Sequence, residues 1–142
     1  MGERVPQTLA NHARYDPLFH FFMLPLSMAL FIWAVAHLVR HPGHEAIAWV
    51  VFALLLILTI FKARSFALRA QDRIIRLEER LRLANLSPNA PIAALREGQL
   101  IALRFACDAE LPALAEKAAT GNLNPKQIKE AIQTWRPDYF RV

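Results

Sequence analysis

Two long uncharged stretches constrain this chain more than any other feature. Leu18 to Val39 contains no charged side chain, and Ala46 to Phe61 is apolar or neutral throughout. Only Arg40-His41-Pro42-Gly43-His44-Glu45 separates them. A hydrocarbon core of about 30 Å needs roughly 20 helical residues to cross it. Lipid also admits only backbone that satisfies its own hydrogen bonds. The expected fold is therefore an all-α membrane protein built on a two-helix transmembrane hairpin over residues 18–61, with spans at about 18–39 and 46–66.

The rest of the chain is different. Hydrophobic residues make up 55% of the whole, but they are concentrated in the first half. The residues after the hairpin have the charge and periodicity of a soluble helical protein, and they are too few for a large enzyme core. The expected division is an N-terminal cytoplasmic segment (1–17), the hairpin (18–61), a cytoplasmic extension of the second helix (62–86) and a small helical domain with an aromatic C-terminal tail (87–142). Residues 1–17 are polar, and the first apolar stretch is long and lacks a small-residue cleavage site, so the first span is expected to stay in the mature protein.

Basic residues set the expected orientation. Arg4 and Arg14 precede the first span, Lys62, Arg64, Arg69 and Arg73 follow the second, and the loop holds only Arg40. The positive-inside rule puts both termini in the cytoplasm. The net charge of +5 suits a leaflet with anionic headgroups, and Lys62, Arg64 and Arg69 are the expected lipid ligands. Asp72, Glu78 and Glu79 interrupt the basic run, which points to a solvated helix face and not to a nucleic-acid partner.

Asp16-Pro17 is a good helix start, and Pro25 is expected to bend the first span slightly. No proline or glycine occurs from Glu45 to Ser87, so one helix should run from about Ala46 to about Asn85. Its lower half carries Ala63, Ala67, Ala70, Ile74, Leu77, Leu81 and Ala84 at 4-3-4-3-4-3 spacing, the a/d seam of a coiled coil. This seam traces upward through Ile60, Leu56 and Ala53, and Asp72–Arg76 and Glu78–Arg82 flank it as i,i+4 pairs. It serves either self-association into a homo-oligomer or packing of the chain's own C-terminal helices.

Beyond Ser87-Pro88-Asn89-Ala90-Pro91, three short helices are expected. The first covers Ile92 to Ala106, with Gly98 as an interruption. Asp108 caps the second and Gly121 ends it. Asn124-Pro125-Lys126-Gln127 opens the third with a capping box, its buried face running to Trp135 and its end set by Pro137. Trp135, Tyr139 and Phe140 make the tail dense in large side chains, which favours docking on its own domain or a neighbour.

Chemistry-bearing sets are weak. His20 and His37 stand about 25 Å apart along a helix, the separation of two haem levels. The second span holds no histidine, so interfacial roles are the plainer reading, with His41 and His44 as loop residues. Ser27 and Thr59 are the hydroxyls that would line a small oligomeric channel, the runner-up reading. Cys107 lies in an apolar setting and reads as an inert thiol. No catalytic set, cofactor motif or metal spacing is present, so the expected protein is a non-enzymatic scaffold or an accessory subunit of a larger membrane complex.

Three strings carry a family likeness: Asn11-His12-Ala13-Arg14-Tyr15-Asp16-Pro17-Leu18-Phe19-His20-Phe21-Phe22, Gln71-Asp72-Arg73-Ile74-Ile75-Arg76-Leu77-Glu78-Glu79-Arg80-Leu81-Arg82, and Trp135-Arg136-Pro137-Asp138-Tyr139-Phe140-Arg141-Val142. They resemble an uncharacterised bacterial family of small two-span membrane proteins, known as a domain of unknown function. The resemblance implies a bacterial inner-membrane protein and assigns no functional residue.

Overall fold

The structure, a computed structural model, describes residues 7–9 and 15–139. Arg4, Arg14 and Phe140, each singled out above, lie outside them. The described residues are helical, with one isolated antiparallel bridge between Ala106 and Trp135. Two compact units partition the chain. One covers the described residues 15–68, and the other gathers residues 69–139 with residues 7–9.

In the first unit, Asp16 Oδ1 accepts from the amides of Leu18 and Phe19 at 3.0 and 3.3 Å, which is the expected cap. At Pro25 the structure shows a change of helix type. The proline ring has no amide hydrogen and would crowd the carbonyl four residues earlier in an α-helix. The chain opens there into a π-helical turn, Leu18–Met23, and Leu24 N–H bonds to Phe19 O. Helix α1 follows as Leu24–Arg40, and His41 leaves the helix with φ −134°. Helix α2 spans His44–Leu86 without a break, roughly 65 Å at 1.5 Å per residue.

Small residues allow close packing in this unit. Ala34, Ala46, Ala53 and Ser27 are buried. Phe19 meets Phe61 edge-on at 6.1 Å, and Trp33 meets Trp49 at 6.3 Å. Most large apolar side chains point outward. Leu18–Arg40 and the apolar part of α2 are long and apolar enough to cross a membrane, and only 11% of each hydrophobic window is buried.

The second unit departs from the expected helix bounds in three places. The stretch 92–106 is not one helix but a 3₁₀ turn, Ile92–Ala94, followed by α3, Glu97–Leu103. Gly98 interrupts nothing. A Cβ there would stand 3.1 Å from the Pro125 ring, so its role is close approach of the next helix but one.

Helix α4 is Leu111–Thr120, with Pro112 in its first turn. Its cap is not Asp108, which turns to Arg82 instead. Gly121 ends α4 without using its freedom. Asn122 takes the left-handed conformation at φ 48°, and Leu123 N–H closes back to Ala118 O at 3.1 Å in a Schellman turn.

Helix α5, Pro125–Ala131, starts on the expected box, with Asn124 and Gln127 bonded reciprocally at 2.8 and 2.9 Å. It stops well before Pro137. The Glu110 carboxylate takes the amides of Gln133 and Thr134, which lie in a bend leading to Trp135. Trp135 is thus not on a helix face. It lies against Phe105 at 5.1 Å in the bridge with Ala106.

The core of this unit is Leu83 of α2 with Leu100, Leu103, Phe105, Leu111 and Ile128, all at or near zero exposure.

Candidate assembly interface

The lower half of α2 bears a buried stripe and an exposed apolar one on opposite sides. Ile75, Glu79 and Leu83 recur at i,i+4 spacing and are 6%, 5% and 1% exposed. Leu83 enters the C-terminal core. The expected seam lies on the other side. Ile74, Leu77 and Leu81 are 56–59% exposed, and Ala63, Ala70 and Ala84 are exposed as well, with Ala67 half-buried. A residue step of 100° along a helix explains the division: positions 75, 79 and 83 point almost directly away from the mean of 70, 74, 77, 81 and 84. The C-terminal helices therefore do not use the seam. Its upward trace ends in the other unit, where Ala53 is buried and Leu56 and Ile60 half-buried.

Charge fixes the inward stripe. The Glu79 carboxylate lies 3.0 Å from the Arg82 guanidinium and 3.5 Å from that of Arg136. Arg82 also donates to Asp108 Oδ1 at 2.6 Å and to the carbonyl of Ala106 at 2.7 Å. Burial pushes Glu79 above the ordinary carboxylate range, and the two arginines oppose that shift without cancelling it. Neither expected i,i+4 pair forms. Arg76 Nε reaches the backbone carbonyl of Asp72 and its guanidinium pairs with Glu97, and Arg82 chooses Glu79 and Asp108 over Glu78. Each arginine gains a contact distant in sequence that the isolated helix does not offer.

The tail is pinned along its described length. Arg136 N–H donates to Phe105 O at 2.7 Å and Cys107 N–H to Thr134 O at 3.2 Å. The peptide of Asp138 is gripped by the Gln7 amide, which donates to its carbonyl at 3.0 Å and accepts from its N–H at 2.8 Å. Arg104 lies 3.1 Å from the Asp138 carboxylate. Tyr139 is half-buried. Gln99, fully internal, accepts from Arg96 N–H and donates to the carbonyls of Ala118 and Leu123 at 2.9 Å. Sequence reasoning missed Gln7, Gln99 and Glu79, because each also has a partner far along the chain, Asp138 for Gln7, Ala118 and Leu123 for Gln99 and Arg136 for Glu79.

Of the basic residues, Lys62 and Arg69 are exposed, and Lys62 stands 5.6 Å from the Phe66 ring. Arg64 is engaged within the chain, 4.6 Å from the Phe19 ring and 3.8 Å from Asp16. His20 Nδ1 lies 2.9 Å from Asp16 O. His37 stacks on Trp33 at 5.5 Å and meets His41 at 5.2 Å. Ser27 and Thr59 donate to carbonyls of their own helices, Leu24 O and Leu55 O. Among the described residues, no three His, Cys, Asp or Glu side chains converge on a point where a metal could sit.

A model of a family described as a family of unknown function, DUF6526, matches residues 3–142. No curated protein and no solved structure matches the chain.

Proposed function

The chain belongs to this family of unknown function, and from its own residues we propose that it is a non-enzymatic integral membrane protein that assembles with itself, as a scaffold or as an accessory subunit of a larger membrane complex. Helices α1 and the first half of α2 form a transmembrane hairpin, and the aromatic contacts Phe19–Phe61 and Trp33–Trp49 support that pairing. The outward apolar surface of both helices supports a lipid environment, since the same surface on a soluble protein would be left in water. The basic residues after α2 leaves the apolar region favour a cytoplasmic location for both termini, in a bacterial inner membrane, with Lys62 and Arg69 on anionic headgroups.

The observation that carries the reading is the exposed seam. Three large aliphatic side chains sit at 56–59% exposure on a segment rich in charge, on the side of α2 that its own C-terminal unit does not touch. Such a stripe is stabilised when a second surface covers it. The mass of the protein in mild detergent, by light scattering or native mass spectrometry, tests this. A discrete oligomer that dissociates when Ile74→Glu and Leu77→Glu are combined supports assembly through the seam. A wild-type monomer sinks self-assembly and leaves only the accessory-subunit form of the reading.

A further inference from the structure

We infer that the surface covering the seam is a second copy of this chain, aligned parallel and in register, with Arg73 of one copy paired to Glu78 of the other. The inference rests on the self-assembly reading above and specifies its partner and geometry. The heptad register places Ala67, Ile74 and Leu81 at a, and Ala63, Ala70, Leu77 and Ala84 at d. Arg73 and Arg80 then fall at g, and Gln71 and Glu78 at e.

In a parallel pair, each g residue faces the e residue five positions further along the partner helix. Arg73 therefore meets Glu78 of the partner subunit, twice by symmetry. In an antiparallel pair g faces g, and Arg73 would meet arginine. Charge complementarity thus selects the parallel arrangement. All three of Arg73, Glu78 and Arg80 are exposed, and among the described residues none enters an ion pair within the chain.

Two further observations narrow the occupant. Ile74 at a beside Leu77 at d is the combination that suits parallel packing, and the alanines above them let backbones approach closely. Two arginines of this helix that lie off the seam, Arg76 and Arg82, are tied to Glu97, Glu79 and Asp108 on the inward side. The inward arginines are thus paired within the chain, while Arg73 and Glu78 beside the seam enter no ion pair among the described residues. Copies anchored in one bilayer with the same orientation also have their α2 helices parallel from the start.

The test uses the full chain in mild detergent. Arg73→Glu alone places glutamate against glutamate and should weaken association about tenfold; Glu78→Arg alone should do the same with arginines. The double variant rebuilds the pair with signs exchanged and should return association to near the wild-type value. Separately, Leu77→Cys in a Cys107→Ala background should cross-link to itself under mild oxidation, because d meets d only in a parallel, in-register pair.

An oligomer that ignores both single charge changes, or that fails to cross-link through Leu77→Cys, overturns the inference while leaving assembly through another surface standing. A wild-type monomer overturns both the inference and the self-assembly reading beneath it.

Discussion

Ile74 and Ile75 are adjacent in sequence and differ about ninefold in accessibility: the first is 56% exposed and the second 6%. The pair marks the line along α2 where one side is committed to the chain's own C-terminal unit and the other is open. A single helix thereby presents one buried and one open face.

That division gives the first expectation. Ile75→Ala removes a buried side chain and should cost the C-terminal unit about 2–4 kcal/mol. Ile74→Ala should leave unit stability within about 0.5 kcal/mol, as for an exposed position, and instead weaken association. Thermal unfolding read alongside native mass separates the two. Equal losses of stability would show that the faces are not independent.

Arg82 holds three acceptors at once, Glu79, Asp108 and the Ala106 carbonyl. Arg82→Ala leaves the Glu79 carboxylate buried with only the 3.5 Å contact to Arg136. A loss of about 3 kcal/mol is expected, the cost of removing one partner of a buried pair. Denaturant unfolding at neutral pH measures it, and a loss below about 0.5 kcal/mol would mean the contact is merely tolerated.

Glu79 also predicts a pH response. Burial holds its pKa above the ordinary 4.5, so the folded unit takes up this proton more readily than the unfolded chain does. The associated stabilisation is fully present below 4.5 and is lost as pH rises through the raised folded value. Arg82, Arg136 and Glu78 are the charges acting on it. Acidifying from neutral pH toward 4.5 should therefore raise the melting temperature of the wild type relative to Glu79→Gln. A difference that stays constant with pH, or narrows, would refute the assignment.

Gln99 closes a buried junction by bonding Arg96 N–H and the carbonyls of Ala118 and Leu123. Gln99→Leu keeps the volume but strands the Arg96 amide and takes one bond each from the Ala118 and Leu123 carbonyls, which keep Leu123 N–H and the Arg96 guanidinium, and should destabilise by about 1–3 kcal/mol. Amide exchange at Leu123 and at Arg96 should accelerate together. If only one responds, the side chain is not the common link.

The proposed topology has a direct check at the turn. A Cβ at Gly43 would meet nothing within 4 Å, so Gly43→Cys in a Cys107→Ala background should fold normally. Under the proposed orientation, a membrane-impermeant thiol reagent added to intact cells should label it. Labelling that requires broken cells would invert the topology.

Much of this architecture was legible in the residues alone. Uncharged length specified two apolar helices, the absence of proline and glycine from Glu45 to Ser87 kept α2 unbroken, and the Asn124–Gln127 box opened α5. These are properties of one helix or one turn, fixed by neighbours within about four residues. The same local logic failed where distant groups compete. Asp108 left its cap for Arg82, and α5 ended early because Glu110 draws off the amides of Gln133 and Thr134.

The sequence by itself determined that α2 carries a heptad stripe, because side-chain period is intrinsic to a helix. Only the tertiary structure decided which stripe the chain keeps for itself. That choice depends on buried charge as well as periodicity. The C-terminal unit packs on the side of Ile75, Glu79 and Leu83, where Arg82 and Arg136 reach the Glu79 carboxylate and offset part of its burial, and leaves Ile74, Leu77 and Leu81 outside.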